Sequence, residues 1–441
     1  MRKLTPLTSV HALFDWSKSH DPSLAAYRLL GGYQAFNDIR KKTSLEPLLD
    51  QIEQSMLTGK GGANFPTHRK MRLMLAQGGD RKILVVNGSE HEPGSLKDRY
   101  LIENVPHKVL EGALIAAHAV KANEIVVAIN EGSSDAVTSF RNALQELLSN
   151  PDIDFSGISI TVQTVPEIYI VGEETALLET LEGKTPLPRS KPPFPIQEGL
   201  HGLPTLVQNV ETVAHLPFIF SAGAASYRAL GRNGNGVTLC TLGKEFINPG
   251  VYEIPLGTSI REVLYEWGRG LQNGTAIKCV QPGGPSSGFL SSSDFDAPLD
   301  AKALGQYGSA LGCAVIRAYS VNECMVQRIG EIMHFFAETS CGQCPRCRME
   351  TNMLDTIVKQ VLAGKGTPKL LDKVEDVIKL ATGQGICSLI GMPVAPIRTG
   401  LCLFYDEFLA HLENRCTCCT TRNEPQRVGQ GIEGSQHDRP A

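Results

Sequence analysis

Three cysteines lie two residues apart in Cys341-Gly-Gln-Cys344-Pro-Arg-Cys347, and a fourth, Cys387, stands beyond a helix-like stretch. Thiolates in a 3 + 1 arrangement suit the corners of a [4Fe–4S] cube, and the C-x2-C-x2-C run resembles cluster-binding spacing. Structural zinc more often takes its cysteines as two separated C-x2-C pairs. A disulfide framework is excluded for the run, because three thiols within seven residues leave one over and strain the loops. Ligand softness places an iron–sulfur cluster ahead of both zinc and no metal. The chemistry such a group serves is electron transfer.

Three further segments carry groups that could bind a ligand. Gly59-Lys-Gly61-Gly62-Ala63-Asn-Phe65-Pro66 is a glycine-rich turn feeding a helix, where backbone amides and a helix N-terminus could approach a phosphate. It matches neither common phosphate-binding signature, so a tight turn without a ligand stays open. Asn87-Gly-Ser89-Glu90-His91-Glu92-Pro-Gly94 follows an apolar run. Beyond the carboxyl end of a parallel strand it would lie where ligands bind, although a solvated turn has the same composition. Tyr169-Ile-Val-Gly172-Glu173-Glu174 opens another helix, and its paired carboxylates read first as complements to the helix dipole, second as catalytic groups.

The remaining thiols and imidazoles carry weaker signals. His68 and His91 read as hydrogen-bonding or surface residues. Cys416-Thr-Cys418-Cys419 could hold a metal, supply an interface ligand or sit idle, and its place before a polar tail favours idle. Cys240, Cys279, Cys313, Cys324 and Cys402 read as small apolar fillers.

The elements that must position these groups alternate. Pro66 suits a first helical turn, followed by a helix over Thr67 to Ala76. Ile83 to Val86 predicts a buried strand, His107 to Val120 a helix, Glu124 to Ile129 a strand, Asp135 to Leu148 a helix and Ile158 to Val165 a strand. Strands alternating with helices argue for an α/β sheet with a parallel core. Thr185 to Pro195 is too rich in proline for helix or central strand, and its apolar neighbours favour a rigid loop lining a pocket. Residues 236–312, with strands at Val237 to Leu242 and Val251 to Ile254 and a helix over Ile260 to Trp267, read as a small α+β module. Residues 323–415 read as a helical bundle around the cysteines. The expected division is a helical segment 1–57, a nucleotide-binding domain 58–235, the module 236–312, a helical domain 313–420 and a disordered tail 421–441.

A chain of 441 residues with a net charge of −4 has no basic footprint for nucleic acid. No apolar run is expected to span a bilayer, and the N-terminus lacks the apolar segment of a signal peptide. Twelve cysteines without such a signal point to a reducing compartment, with cytoplasm as the expected location.

Taken in order, these segments resemble the flavin-bearing, NADH-oxidising 51-kDa-type subunit of respiratory complex I and related NAD-linked diaphorases. The resemblance runs from about Gly31 to Glu413 and rests on the Gly59–Thr67, Asn87–Gly94 and Lys97–Arg99 blocks, together with Gly172–Leu177, Lys191–Pro195, Asn209–Thr212 and Ser340–Arg348. It implies FMN, NAD(H) and one [4Fe–4S] cluster. It also implies a Rossmann-like flavin domain, a ubiquitin-like module over 236–312 and a C-terminal helical bundle holding the cluster.

Residue by residue, it implies that Gly59, Gly61, Gly62, Lys70, Asn87, Glu90, Gly172, Glu173, Gln208 and Asn209 surround FMN, with Ala63, Ser89 and Tyr169 also among the cofactor-binding residues. Phe65 and Phe194 would stack on the nicotinamide nucleotide, positioned by Glu92, Glu174 and Lys191. Cys387, in preference to Cys402, would be the fourth cluster ligand. The implied partners are a thioredoxin-like [2Fe–2S] subunit and a larger iron–sulfur or catalytic subunit, through which the chain would be peripheral to a membrane. The chain departs from the family pattern at Lys60 (usually Arg), Asn64 (usually Gly), Ser89 (usually Asp) and Leu73 (usually aromatic).

Overall fold

The computed structural model describes residues 11–14, 21–42 and 44–419. The segment expected to be a disordered tail, 421–441, lies outside them, as does part of the N-terminal segment.

Strands β1 (Ile83–Gly88), β2 (Glu124–Asn130), β3 (Ser159–Val165) and β4 (Thr205–Asn209) form a sheet in the order β3-β2-β1-β4. All three pairings are parallel. The continuous apolar run of β1 follows from cover on both faces. Leu84 and Val86 pack in the core that holds Leu110 and Leu114 of the Pro106–Val120 helix, while Ile83 and Val85 face Val171, Leu177 and Leu178. The chain runs outward from β1 to β3, then crosses back to place β4 on the other side of β1. That reversal opens a crevice at the carboxyl ends of β1 and β4, the usual ligand position in such sheets.

A second sheet contains β5 (Val237–Leu242), β6 (Gly250–Pro255), β7 (Ile277–Gln281), β8 (Leu290–Ser291) and β9 (Val315–Ser320), in the order β6-β5-β9-β7-β8. β5 and β9 run parallel at its centre, and the other pairs are antiparallel. The helix expected over Ile260 to Trp267 begins as an α turn, Ile260–Glu262, and widens into a π turn, Val263–Trp267.

The C-terminal region packs four helices, Met325–Thr339, Pro345–Leu362, Lys369–Ala381 and Val394–Leu412. Met325, Ile329, Ile332, Met333 and Phe336 recur at helical spacing and are buried, which turns one stripe of the first helix into the bundle core. Ser388–Leu412 is long and apolar enough by composition to cross a membrane. It packs as a bundle helix, with Ile397 and Phe408 in the core and Arg398 paired to Glu375. Apolar cores and apolar spans share this composition, so the helix carries no argument for a membrane.

The N-terminal segment is tied across both sheets. The buried Glu253 carboxylate on β6 accepts the amides of Ala12 at 2.7 Å, Leu13 at 3.0 Å and Phe14 at 3.0 Å. Lys108 donates to the Ala12 carbonyl at 2.6 Å. Burial pushes the Glu253 carboxyl up to about 7, although the three amides oppose the shift.

Candidate flavin, nucleotide and iron–sulfur sites

The Gly59–Pro66 turn closes with the Gly59 amide donating to the Phe65 carbonyl at 2.8 Å. Gly62 has φ +100°, and Asn64 has φ +52°, a left-handed conformation in which the family's glycine would be unstrained. A Cβ on Gly61 would come within 3.5 Å of the Asn209 side chain, so the turn lies directly over the end of β4. The Lys60 amide donates to Thr212 Oγ1 at 2.8 Å, and its side chain is buried, which lowers its pKa.

The loop after β1 is organised by its own polar side chains. Asn87 Oδ1 accepts from the Ser89 hydroxyl at 2.6 Å, and Asn87 Nδ2 donates to the Gly172 carbonyl at 3.2 Å. Glu90, at φ +38°, accepts the amides of Asp98 at 2.9 Å and Arg99 at 2.8 Å and the Ser95 hydroxyl at 2.7 Å. Burial raises both Glu90 and Glu92 to about 7. Glu92 receives one bond, from the Tyr169 hydroxyl at 3.0 Å. Its other oxygen and the Gln208 amide nitrogen are buried without a hydrogen-bond partner among the described residues. Orphaned polar groups at the ends of β1 and β4 are what a polar cofactor in this crevice would satisfy. The donor set therefore fits FMN.

Beneath the crevice lies an ion cluster that the sequence did not single out as part of the site. Lys97 Nζ is buried within 2.8 Å of Asp98, 3.1 Å of Glu211 and 3.1 Å of Asn209 Oδ1. Burial disfavours its charge, but Asp98 and Glu211 outweigh that and raise its pKa. Asn209 Nδ2 donates to Asp98 at 2.6 Å, so the cluster fixes the amide at the end of β4. The nearest sequence signal was Lys97-Asp-Arg99, which says nothing about a partner at residue 211.

Glu173 and Glu174 divide their work. Glu173 caps the Glu174–Leu181 helix, accepting the amides of Thr175 at 2.8 Å and Ala176 at 2.9 Å, as the dipole reading expects. Glu174 bridges Lys70 at 2.7 Å and Lys191 at 2.8 Å. Burial opposes its charge, but the two ammonium groups prevail and hold its pKa at about 2. Phe65, Leu73 and Phe194 remain about half exposed, apolar surfaces on which a nucleotide base or ring could stack.

Cys341, Cys344, Cys347 and Cys387 line one cavity with Ile170 and Ile386. Cys344 immediately precedes the Pro345–Leu362 helix, and Pro345 fills its first turn. The Ile386 amide donates to Cys344 Sγ at 3.3 Å. Cys402 sits exposed on the last helix and does not line this cavity. Four thiols from two stretches of chain, Cys347 within the first turn of the Pro345–Leu362 helix, surround one space and are a donor set that fits a [4Fe–4S] cluster. The turn Tyr169–Gly172 connects the two sites. Tyr169 touches Glu92 of the crevice and Phe335 of the bundle, and its neighbour Ile170 forms part of the cysteine cavity.

A parallel sheet with a reversal crevice, coupled through one turn to a four-thiol cavity, defines a flavin- and iron–sulfur-carrying oxidoreductase component. Residues 52–217 match the Nuo51 FMN-binding domain, and residues 327–411 match the NADH-ubiquinone oxidoreductase-F iron-sulfur binding region. The NADH-quinone oxidoreductase F subunit of Mycobacterium bovis is 34% identical over 444 residues, spanning 98% of each chain. Its Escherichia coli counterpart is 34% identical over 399 residues, 88% of this chain and 90% of that one. The chain belongs to the family of NADH-quinone oxidoreductase F subunits, the 51-kDa type. Among solved structures it resembles an NAD+-reducing [NiFe]-hydrogenase in the H2-reduced state, with a TM-score of 0.78 and 26% identity over 88% of this chain and 65% of that chain.

Proposed function

We propose that the chain oxidises NADH at FMN seated in the β1/β4 crevice and delivers the electrons through a [4Fe–4S] cluster on Cys341, Cys344, Cys347 and Cys387. The observation that carries this is the Tyr169–Gly172 turn, which borders both the crevice and the cysteine cavity. Bound there, FMN would supply a hydride acceptor for NADH and a donor of single electrons.

The chain's own residues bind and orient. Gly59, Gly61, Gly62 and Ala63 present a close backbone approach, with Lys70 beside them. Asn87, Ser89, Glu90, Gly172, Glu173, Gln208 and Asn209 surround the flavin, and the Lys97 ion cluster keeps Asn209 in place. Phe65 and Phe194 supply stacking surfaces for the nicotinamide nucleotide. Glu92, Glu174 and Lys191 position it, Glu174 remaining charged because two lysines flank it. No side chain acts as a nucleophile or base, since orientation and electrostatics are the protein's contribution to such a transfer.

The relatives are named as subunits, which supports assembly of this chain with partners. A thioredoxin-like [2Fe–2S] protein and a larger iron–sulfur or catalytic subunit suit the role of acceptors. They would hold the chain on the cytoplasmic side, peripheral to a membrane. The likeness to an NAD+-reducing hydrogenase favours a second direction, reduction of NAD+ by electrons arriving through the cluster. Ser89 and Leu73 motivate a third reading, a relay that has lost nucleotide oxidation. Anaerobic purification with FMN quantified, followed by NADH addition, tests these readings. Flavin that bleaches with NADH supports oxidation, whereas cluster without flavin overturns it. The reduction potential of the bound cluster, set against that of the NAD+/NADH couple, separates the two directions.

A further inference from the structure

We propose that Cys324, His411, Cys416 and Cys419 form a second metal site, a closed structural zinc site distinct from the Cys341, Cys344, Cys347 and Cys387 cavity. The four ligand atoms lie within 4.8 Å of one another. Cys324 Sγ is 3.1 Å from His411 Nε2, and Cys419 Sγ is 3.6 Å from the same nitrogen. A tetrahedral zinc ion with bonds of ~2.3 Å to sulfur and ~2.0–2.1 Å to nitrogen sets edges of roughly 3.5–3.8 Å between ligands. The observed group is already close to that size. Thiolates on a cubane each bind a different iron and stand farther apart, so the spacing selects a single ion. Three thiolates and one imidazole are also a familiar zinc donor set.

The site collects residues from three separate places in the chain. Cys324, expected to be an apolar filler, immediately precedes the Met325–Thr339 helix, and His411 lies in the last turn of Val394–Leu412. Cys416 and Cys419, expected to be idle, form a C-x2-C pair just past that helix. The matched iron-sulfur binding region, 327–411, ends at His411 and leaves out Cys324, Cys416 and Cys419.

Four protein ligands leave no open position, and zinc has no redox chemistry, so the site neither catalyses nor relays electrons. It ties the chain beyond the last helix to the start of the first. The Met325–Thr339 helix has 15 residues. At about 1.5 Å per residue it holds the site roughly 22 Å from the end that leads into Cys341. The expected consequence is a bundle whose first helix is fixed at the end remote from the iron.

Metal analysis of the anaerobically purified full chain tests this, with about one zinc expected beside the roughly four irons of a [4Fe–4S] cluster. Zinc X-ray absorption on that wild-type protein should give three sulfurs at ~2.3 Å and one nitrogen at ~2.0–2.1 Å. The Cys416→Ser/Cys419→Ser variant should lose zinc while keeping its iron and flavin. Absence of zinc from the wild type, an oxygen-rich zinc shell, a fifth iron in zinc's place, or zinc retained by the variant would each overturn the proposal. If the variant does not fold, the absorption spectrum of the wild type decides alone.

Discussion

The Tyr169 hydroxyl donates to the Glu92 carboxylate at 3.0 Å, the sole hydrogen bond that Glu92's buried carboxylate makes among the described residues. Burial raises Glu92 to about 7, and the Tyr169 bond lowers it from what burial alone would impose. Glu92 therefore loses its proton as pH rises through neutrality. Tyr169→Phe removes a bond to a charged group, a change of about one pH unit upward in the Glu92 titration. The pH profile of NADH:ferricyanide reduction should show an inflection near neutrality that moves alkaline in this variant. An unmoved inflection would assign it to another group.

Glu174 stays charged throughout the working range because Lys70 and Lys191 flank it. Glu174→Gln leaves both lysines without their shared carboxylate. KM for NADH should rise about tenfold, the size of one lost charge-assisted contact, with bound FMN unchanged. Loss of FMN in parallel would instead place Glu174 in the flavin site.

Cys387→Ser removes one wall of the four-thiol cavity, whereas Cys402 is exposed elsewhere. Iron content should fall below about four per chain in the first variant and remain there in Cys402→Ser. Low-temperature electron paramagnetic resonance after dithionite reduction reads the same difference. The opposite pattern would move the fourth ligand.

Glu253 holds the N-terminal segment through three amides, and burial raises it to about 7 from an ordinary 4.5. A carboxyl raised on folding contributes stability fully below its unfolded pKa and loses it as pH rises through the folded value. The wild type should thus lose stability relative to Glu253→Gln between about pH 4.5 and 7, by a few kcal/mol, with no further change above about pH 8. Thermal melts of both proteins across that range check the slope. A pH-independent difference would mean the carboxyl is ionised throughout.

Local signals carried much of the architecture. The apolar run Ile83 to Val86 announced a strand covered on both faces, and the 3 + 1 cysteine spacing announced a redox centre. Long-range pairings were not legible. Cys324 and His411 are 87 residues apart, and only the packing of the first bundle helix against the last brings them together. Lys97 looked like one charge in a polar block, because nothing nearby in sequence reveals its ion pair with Glu211. Ser388–Leu412 shows a limit of composition, which cannot distinguish a helix buried by protein from one buried by lipid. Asn64 is the instructive departure. Its left-handed backbone, φ +52°, is one that glycine adopts without strain, so asparagine and the glycine that the resemblance leads one to expect can serve the same turn.

The Ile386 amide and the start of the Pro345–Leu362 helix both converge on Cys344. Each contributes a partial positive charge beside a sulfur that becomes more electron-rich when an electron arrives. On a cluster held by this sulfur, both would favour the reduced state. A cluster bound there would be easier to reduce than one held by four thiolates without such neighbours.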